Sequence, residues 1–170
     1  KEKLCISQGQ LIENVILEAE KAWKSETQVD NILLTAPTGS GKSLLFQLPA
    51  IYLGKEYNLL TIVVSPLKAL IVDQVESLQE LGYARVAYAS SDLSPEQKME
   101  VYRQVREGEI DLFYLSPELL LSYDIKHFVG ERRIGLVVVD EAHTVTTWGK
   151  EFRVDYWFLG RYLTALKQTL

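Results

Sequence analysis

The chain has 170 residues, 47% of them hydrophobic and 24% charged, the composition of one globular unit with enough apolar side chains to bury a core. A formal net charge of −5 excludes an overall basic field, so any contact with nucleic acid has to be local. The single Cys5 excludes an internal disulfide and fits a reducing compartment. With no apolar run near the ~18–20 residues that span a bilayer and no signal-peptide pattern at the N-terminus, an intracellular protein is expected, cytoplasmic if bacterial and nuclear if eukaryotic, with no membrane partner.

From Gln8 to about Lys24, Leu11, Ile12, Val15, Ile16, Ala19, Ala22 and Trp23 recur at helical spacing and the charged residues take the other face, which predicts an amphipathic helix. Residues 31–35 read as a buried strand. It leads into Ala36-Pro37-Thr38-Gly39-Ser40-Gly41-Lys42-Ser43, which fits G-x-x-x-x-G-K-[ST] except that Ala36 takes the place of the first glycine. A strand, a glycine-rich turn and a helix in that order form a phosphate-binding loop. The glycines allow backbone N–H groups to wrap the phosphates, and the helix adds its positive end. Lys42 supplies a point charge, Leu44 continues the first turn, and the Ser43 hydroxyl is the kind of ligand that holds a magnesium ion bridging β- and γ-phosphates. The helix is predicted over about 42–53, with Pro49 kinking or shortening it.

Residues 59–65 are apolar on both faces, as a central parallel strand must be, and Pro66 ends them before a helix carrying Leu67, Leu70, Ile71, Val75 and Leu78. A short strand is predicted at 83–87. A helix follows from Ser94-Pro95, with Gly108 as its C-terminal stop. Another strand spans 110–115, a short helix opens at Ser116-Pro117-Glu118, and His127 falls in a polar connection, read as solvated. Residues 134–139 are too apolar for anything but a central strand. Repeated βα units predict an α/β fold, a parallel sheet with helices on both faces.

In such sheets ligands bind beyond the carboxyl ends of the strands. After the last strand comes Asp140-Glu141-Ala142-His143. Asp140 is suited to hold magnesium directly or through water, Glu141 to orient a water on the γ-phosphate, and the His143 imidazole to bridge this site to the loop that follows.

The two motifs together resemble the first RecA-like domain of superfamily 2 helicases, where an alanine at the position of Ala36 is usual. The stretch from Asp140 to Tyr156, with Trp148, Gly149, Phe152, Arg153, Asp155 and Tyr156, looks like the fused motif II and aromatic-rich loop of the RecQ family. Ser65-Pro66-Leu67-Lys68 with Asp73-Gln74 is similar to motif Ia, and Tyr114-Leu115-Ser116-Pro117-Glu118 to motif Ib. The resemblance implies ATP and Mg2+ as ligands, Lys42, Glu141 and His143 as catalytic residues, and contacts to single-stranded DNA or duplex junctions through Ser65, Pro66, Lys68, Ser116, Pro117, Trp148, Phe152 and Arg153. It also implies Gln10 as the adenine contact in an N-terminal recognition segment (1–30), although Ser7 stands where an arginine is usual, and residues 144–147 depart from the family's wording. Residues 1–170 are thus expected to be a single, incomplete RecA-like domain. Motif III and the second RecA-like domain, which brings the arginine finger, would lie beyond Leu170.

The implied activity is that of a DNA-dependent ATPase and 3′ to 5′ helicase. Two alternatives stay open, an RNA helicase with the same phosphate site and a P-loop module that binds nucleotide and moves a partner protein. The aromatic run with Lys150, Arg153 and Arg161 suits a surface that stacks bases and meets phosphates, but from Asp155 onward Trp157 or Phe158, Arg161, Tyr162 and Leu166 fit an amphipathic helix whose aromatics are core, whereas Trp148, beside Gly149 and polar threonines, reads as a loop residue.

Overall fold

The computed structural model describes residues 7–24, 32 and 41–140. Over them the chain runs α1 (Gln8–Trp23), α2 (Leu44–Tyr57), β1 (Leu60–Val64), α3 (Lys68–Glu80), β2 (Val86–Ala89), α4 (Pro95–Arg106), β3 (Leu112–Leu115), α5 (Pro117–Ser122), α6 (Ile125–Val129) and β4 (Ile134–Val139). The strand expected at 31–35 and the chain after Asp140 lie outside the described residues.

The four strands form one parallel sheet in the order β2-β3-β1-β4. Every residue of β1 and β3 is buried, because helices cover both faces of the sheet. One face packs Leu60, Ile62, Val64, Phe113 and Leu115 against α4, α5 and α6 through Val105, Leu120 and Phe128. The other packs Val63, Leu112 and Tyr114 against Phe46 and Ala50 of α2 and Ile71 and Val75 of α3. The expected fold class is therefore observed, with β4 at the end of the described sheet and half-buried along its length.

Local chemistry sets most of the element ends. Ser94 caps α4 in a reciprocal capping box with Gln97, with Pro95 in the first turn, and Gly108 beyond its end takes φ +81°. Two boundaries differ from expectation. Pro49 does not end α2, which runs on to Tyr57 and stops at Asn58 in the left-handed conformation; proline's fixed φ suits a helix, and only one intrahelical bond is lost while Phe46, Ala50 and Leu53 stay packed. β2 begins at Val86 rather than at Tyr83, because α3 closes through Gly82 at φ +88° and the Tyr83 N–H returns to the Leu78 carbonyl at 2.9 Å.

The run of α2 across the sheet positions the site. Near its end, a Cβ on Gly54 would sit 2.5 Å from the Asp111 side chain, just ahead of β3. Two turns earlier, Gln47 meets the Tyr114 hydroxyl near the far end of β3. The helix is thus antiparallel to the strands, and its first residues lie at their carboxyl ends. Asp111 is itself fixed: Arg132 donates to it at 2.7 Å and Arg85 at 2.6 and 2.9 Å, and Arg132 also donates to the Ile110 and Val105 carbonyls and to Asn58. At the opposite end of the sheet from β4, the Gln79 side chain donates to the Val86 carbonyl at 3.5 Å, and the groove outside β2 is rimmed by Glu76, Glu96, Glu100 and Glu109.

Because Asp111 cannot retreat from this clasp, Gly54→Ala should destabilise the domain by about 1–3 kcal/mol, the usual cost of forcing extra volume into a packed contact. A urea melt followed by circular dichroism measures it, and an unchanged midpoint would show that the contact has slack.

Candidate nucleotide and nucleic-acid site

The strand register determines what shares the carboxyl edge. Val64 is level with Leu115 and Val139, and Leu115 with Ala89, so Ser90, Ser116, Ser65 and Asp140 follow the four strand ends side by side. The Ser65 N–H donates to the Leu115 carbonyl at 3.1 Å and the Asp140 N–H to the Val64 carbonyl at 2.9 Å, which extends the ladder by one residue and anchors the Asp140 backbone to β1. The antiparallel run of α2 brings Lys42 and Ser43 to this same edge.

At the start of α2, Gly41 takes φ +74°, a conformation that costs glycine little and a side chain much. Its carbonyl accepts from the Leu44 N–H at 3.1 Å, and the Lys42 and Ser43 carbonyls accept from Leu45 and Gln47, so the loop passes directly into helix. The Ser43 side chain makes no capping bond, and the first turn carries no acidic residue. Among the described residues, a helix start without a side-chain cap or a first-turn acid, opening on a serine hydroxyl, fits a phosphate bearing a hard cation. Ala36 to Ser40, Glu141 and His143 lie outside the described residues.

The helix α1 reaches the same place. Glu20 accepts from the Tyr57 hydroxyl at 2.7 Å and from the Tyr52 hydroxyl at 3.2 Å, Trp23 lies against Tyr57, and Arg133 sits 4.7 Å above the Trp23 ring. With its last turn held at the amino edge of the sheet, α1 lies alongside α2, and its first turn is level with Gly41. A Cβ on Gly41 would come within 3.1 Å of the Gln8 amide, a neighbour that the sequence reasoning missed. Gln10 is on that turn, in a capping box with Ser7: its Oε1 accepts from the Ser7 N–H at 3.0 Å, and its own N–H donates to the Ser7 hydroxyl. Ser7, the departure from the family pattern, therefore acts as the helix cap.

Of the residues expected to meet nucleic acid, Ser65, Ser116 and Pro117 are buried, and Ser116 caps α5 by accepting from the Leu119 N–H. Pro66 is half-buried and Lys68 exposed. The Lys68 ammonium donates to Ser91 at 2.7 Å and to Asp92 at 2.8 Å, and it holds the Asp92 carboxyl below its usual range. This edge thus presents a lysine held by oxygens of the β2–α4 loop. Trp148, Phe152 and Arg153 lie outside the described residues. His127, expected to be merely solvated, is exposed but stacks on Tyr123 at 4.5 Å.

Residues 17–169 match the DEAD/DEAH box helicase family. The chain belongs to that family. Among its relatives are the ATP-dependent DNA helicase RecQ of Synechocystis, 42% identical over 81% of this chain and 27% of that protein, and that of Bacillus subtilis, 38% identical over 74% of this chain and 20% of that protein. The mouse ATP-dependent DNA helicase Q5 is 38% identical over 81% of this chain and 14% of that protein. The resemblance to RecQ helicases read from the motifs is thus borne out, and the chain spans between about a seventh and a quarter of these relatives.

Beneath this edge lies a buried polar group of three, Gln74 and Tyr114 from the two motif-like stretches and Gln47, which no motif marks. Tyr114 on β3 has no exposed surface; its hydroxyl donates to Gln74 of α3 at 2.8 Å and accepts from Gln47 of α2 at 3.2 Å. The available signal was a glutamine on the apolar face of each predicted helix, Gln47 among Leu44, Leu45, Leu48 and Ile51, and Gln74 among Ile71, Val75 and Leu78.

Burial first, and the nearby Asp140 charge, push the Tyr114 phenol up to about 12, against a lowering by the Gln47 bond. Burial pushes the Tyr83 phenol to about 12 as well. Both stay neutral in the folded domain, while in the unfolded chain they lose their protons near 10. Stability is therefore intact below about pH 10 and falls as pH rises from 10 to 12. The urea midpoint measured across that window should drop, and it should drop less steeply in Tyr114→Phe; equal slopes would contradict the assignment.

Proposed function

We propose that this chain is the ATP-binding half of a RecQ-like DNA helicase, in which Mg-ATP is hydrolysed between two RecA-like domains while single-stranded DNA crosses the carboxyl edge of the sheet. The observation that carries this reading is the convergence of the start of α2, with Lys42 and Ser43, and of Asp140 on one edge. Lys42 meets the β- and γ-phosphates beside the backbone N–H groups of residues 38–44. Ser43 and Asp140 would hold the magnesium ion, which when bound neutralises charge on the phosphates. Glu141 orients the attacking water, and His143 links the phosphate site to the aromatic loop. Gln10, its Oε1 spent on the Ser7 cap, meets adenine through its Nε2 amide. Pro66 and Lys68, with Trp148, Phe152 and Arg153, contact the DNA strand. Relatives that carry the name DNA helicase support DNA over RNA.

Lys42 and Glu141 have different tasks, which separates two variants of the full-length protein. Lys42→Ala should weaken triphosphate binding, whereas Glu141→Gln should retain binding and lose turnover. Titration with a fluorescent ATP analogue beside steady-state phosphate release tests this, and equal loss of binding in both variants would reject the roles.

Phosphoryl transfer needs charge stabilisation from more than one side, and loss of an arginine finger costs about 10³- to 10⁵-fold in turnover. The 170 residues alone should therefore bind Mg-ATP weakly and release phosphate barely above background, with or without oligonucleotide. Brisk DNA-stimulated turnover that disappears in Lys42→Ala would overturn the two-domain mechanism.

A further inference from the structure

The Gln47–Tyr114–Gln74 group joins three elements that each lead to a different part of the proposed site. Gln47 lies one turn into α2, and its N–H donates to the Ser43 carbonyl at 2.9 Å, so it moves with the end of the phosphate loop. Gln74 lies two turns into α3, the helix that begins at Lys68. Tyr114 is two residues ahead of Ser116 on β3, between Tyr88 of β2 and Val63 of β1. All three side chains are at least nine-tenths buried, and the two bonds run in one direction, from Gln47 into the phenol and from the phenol into Gln74. An apolar contact at these positions would tolerate sliding of α2 over the sheet. A hydrogen bond weakens steeply when its geometry changes, and a buried one has no water to replace it.

We propose that Tyr114, with Gln47 and Gln74, is a positioning residue that ties the phosphate end of α2 to the start of α3, so that occupancy of the nucleotide site changes how the Pro66–Lys68 loop meets the DNA strand. The proposal rests on the nucleotide and DNA reading above and adds the physical link between its two ligands. Such a link is a coupling free energy, which works equally in both directions: DNA must alter nucleotide affinity by the factor by which nucleotide alters DNA affinity.

The test uses the full-length helicase and its Tyr114→Phe variant, which keeps the ring and removes only the hydroxyl. Affinity for a fluorescent single-stranded oligonucleotide is measured by anisotropy with and without a non-hydrolysable ATP analogue, and affinity for the analogue with and without the oligonucleotide. In the variant, each ligand alone should bind within about twofold of wild type, while the ratio between the paired conditions should fall at least fivefold toward unity in both directions. Gln74→Met, which keeps length and removes the acceptor, should give the same loss, and Gln74→Met with Tyr114→Phe no further loss, since both break one chain; the Gln74→Met arm decides the matter if Tyr114→Phe does not fold. An unchanged ratio in a folded variant would overturn the proposal and leave the helicase reading standing. Equal loss of each ligand's own affinity would assign the group to packing alone and also overturn it. A wild-type protein that binds neither ligand would instead overturn the reading beneath it.

Discussion

The close lie of α2 against the sheet is the contact on which the rest of this domain depends. It is held at two points, by the absence of a side chain at Gly54 over the Asp111 carboxylate and by Gln47 on the Tyr114 hydroxyl. The first sets how near the helix can come and the second sets how far along β3 it sits. Because strand register has already aligned Ser65, Ser116 and Asp140, fixing α2 in both respects also fixes Lys42 and Ser43 relative to them. α1 then follows α2 through Glu20, Tyr52 and Tyr57 and carries Gln8 and Gln10 to the same edge.

The two edges of the sheet are built from different chemistry. At the amino edge, buried Arg132 is held by Asp111 and three further acceptors, so removing Asp111 would strand a buried charge. At the carboxyl edge, among the described residues, Ser116 caps α5 and the exposed Lys68 pairs with Ser91 and Asp92, with the Asp140 backbone tied to β1. The buried ion cluster at the amino edge sets the geometry. A domain that must bind, react and release needs its strong contacts away from the moving parts.

Much of this was legible in the residues, for identifiable reasons. β1 and β3 are continuous apolar runs, as strands buried on both faces have to be, and Ser94-Pro95 and Gly108 are punctuation whose chemistry is local. Asp140 at a strand end and the lysine and serine of the phosphate loop declared themselves through motif spacing. What escaped depended on tertiary contact. α6 is a five-residue helix whose Ile125, Phe128 and Val129 are buried, too short for its period to register. Pro49 suggested a break that packing on both sides overrides. Gln74 reads only as part of a motif and Gln47 not at all, since β3 is what brings a hydroxyl between them, and Ser7, apparently a lost arginine, proved to be the cap of α1.

The treatment of β2 bears on how the protein behaves in concentrated solution. An edge strand offers unpaired backbone groups to any other chain, and flat apolar edges are where soluble proteins begin to aggregate. In the described sheet β2 is such an edge; Gln79 occupies its Val86 carbonyl, and Glu76 and Glu96 rim the groove outside it beside Glu100 and Glu109, which pair with Arg103, so an approaching strand would meet charged side chains. That protection is electrostatic and lasts only while the glutamates are ionised. Mild acid or high salt would therefore weaken that screen.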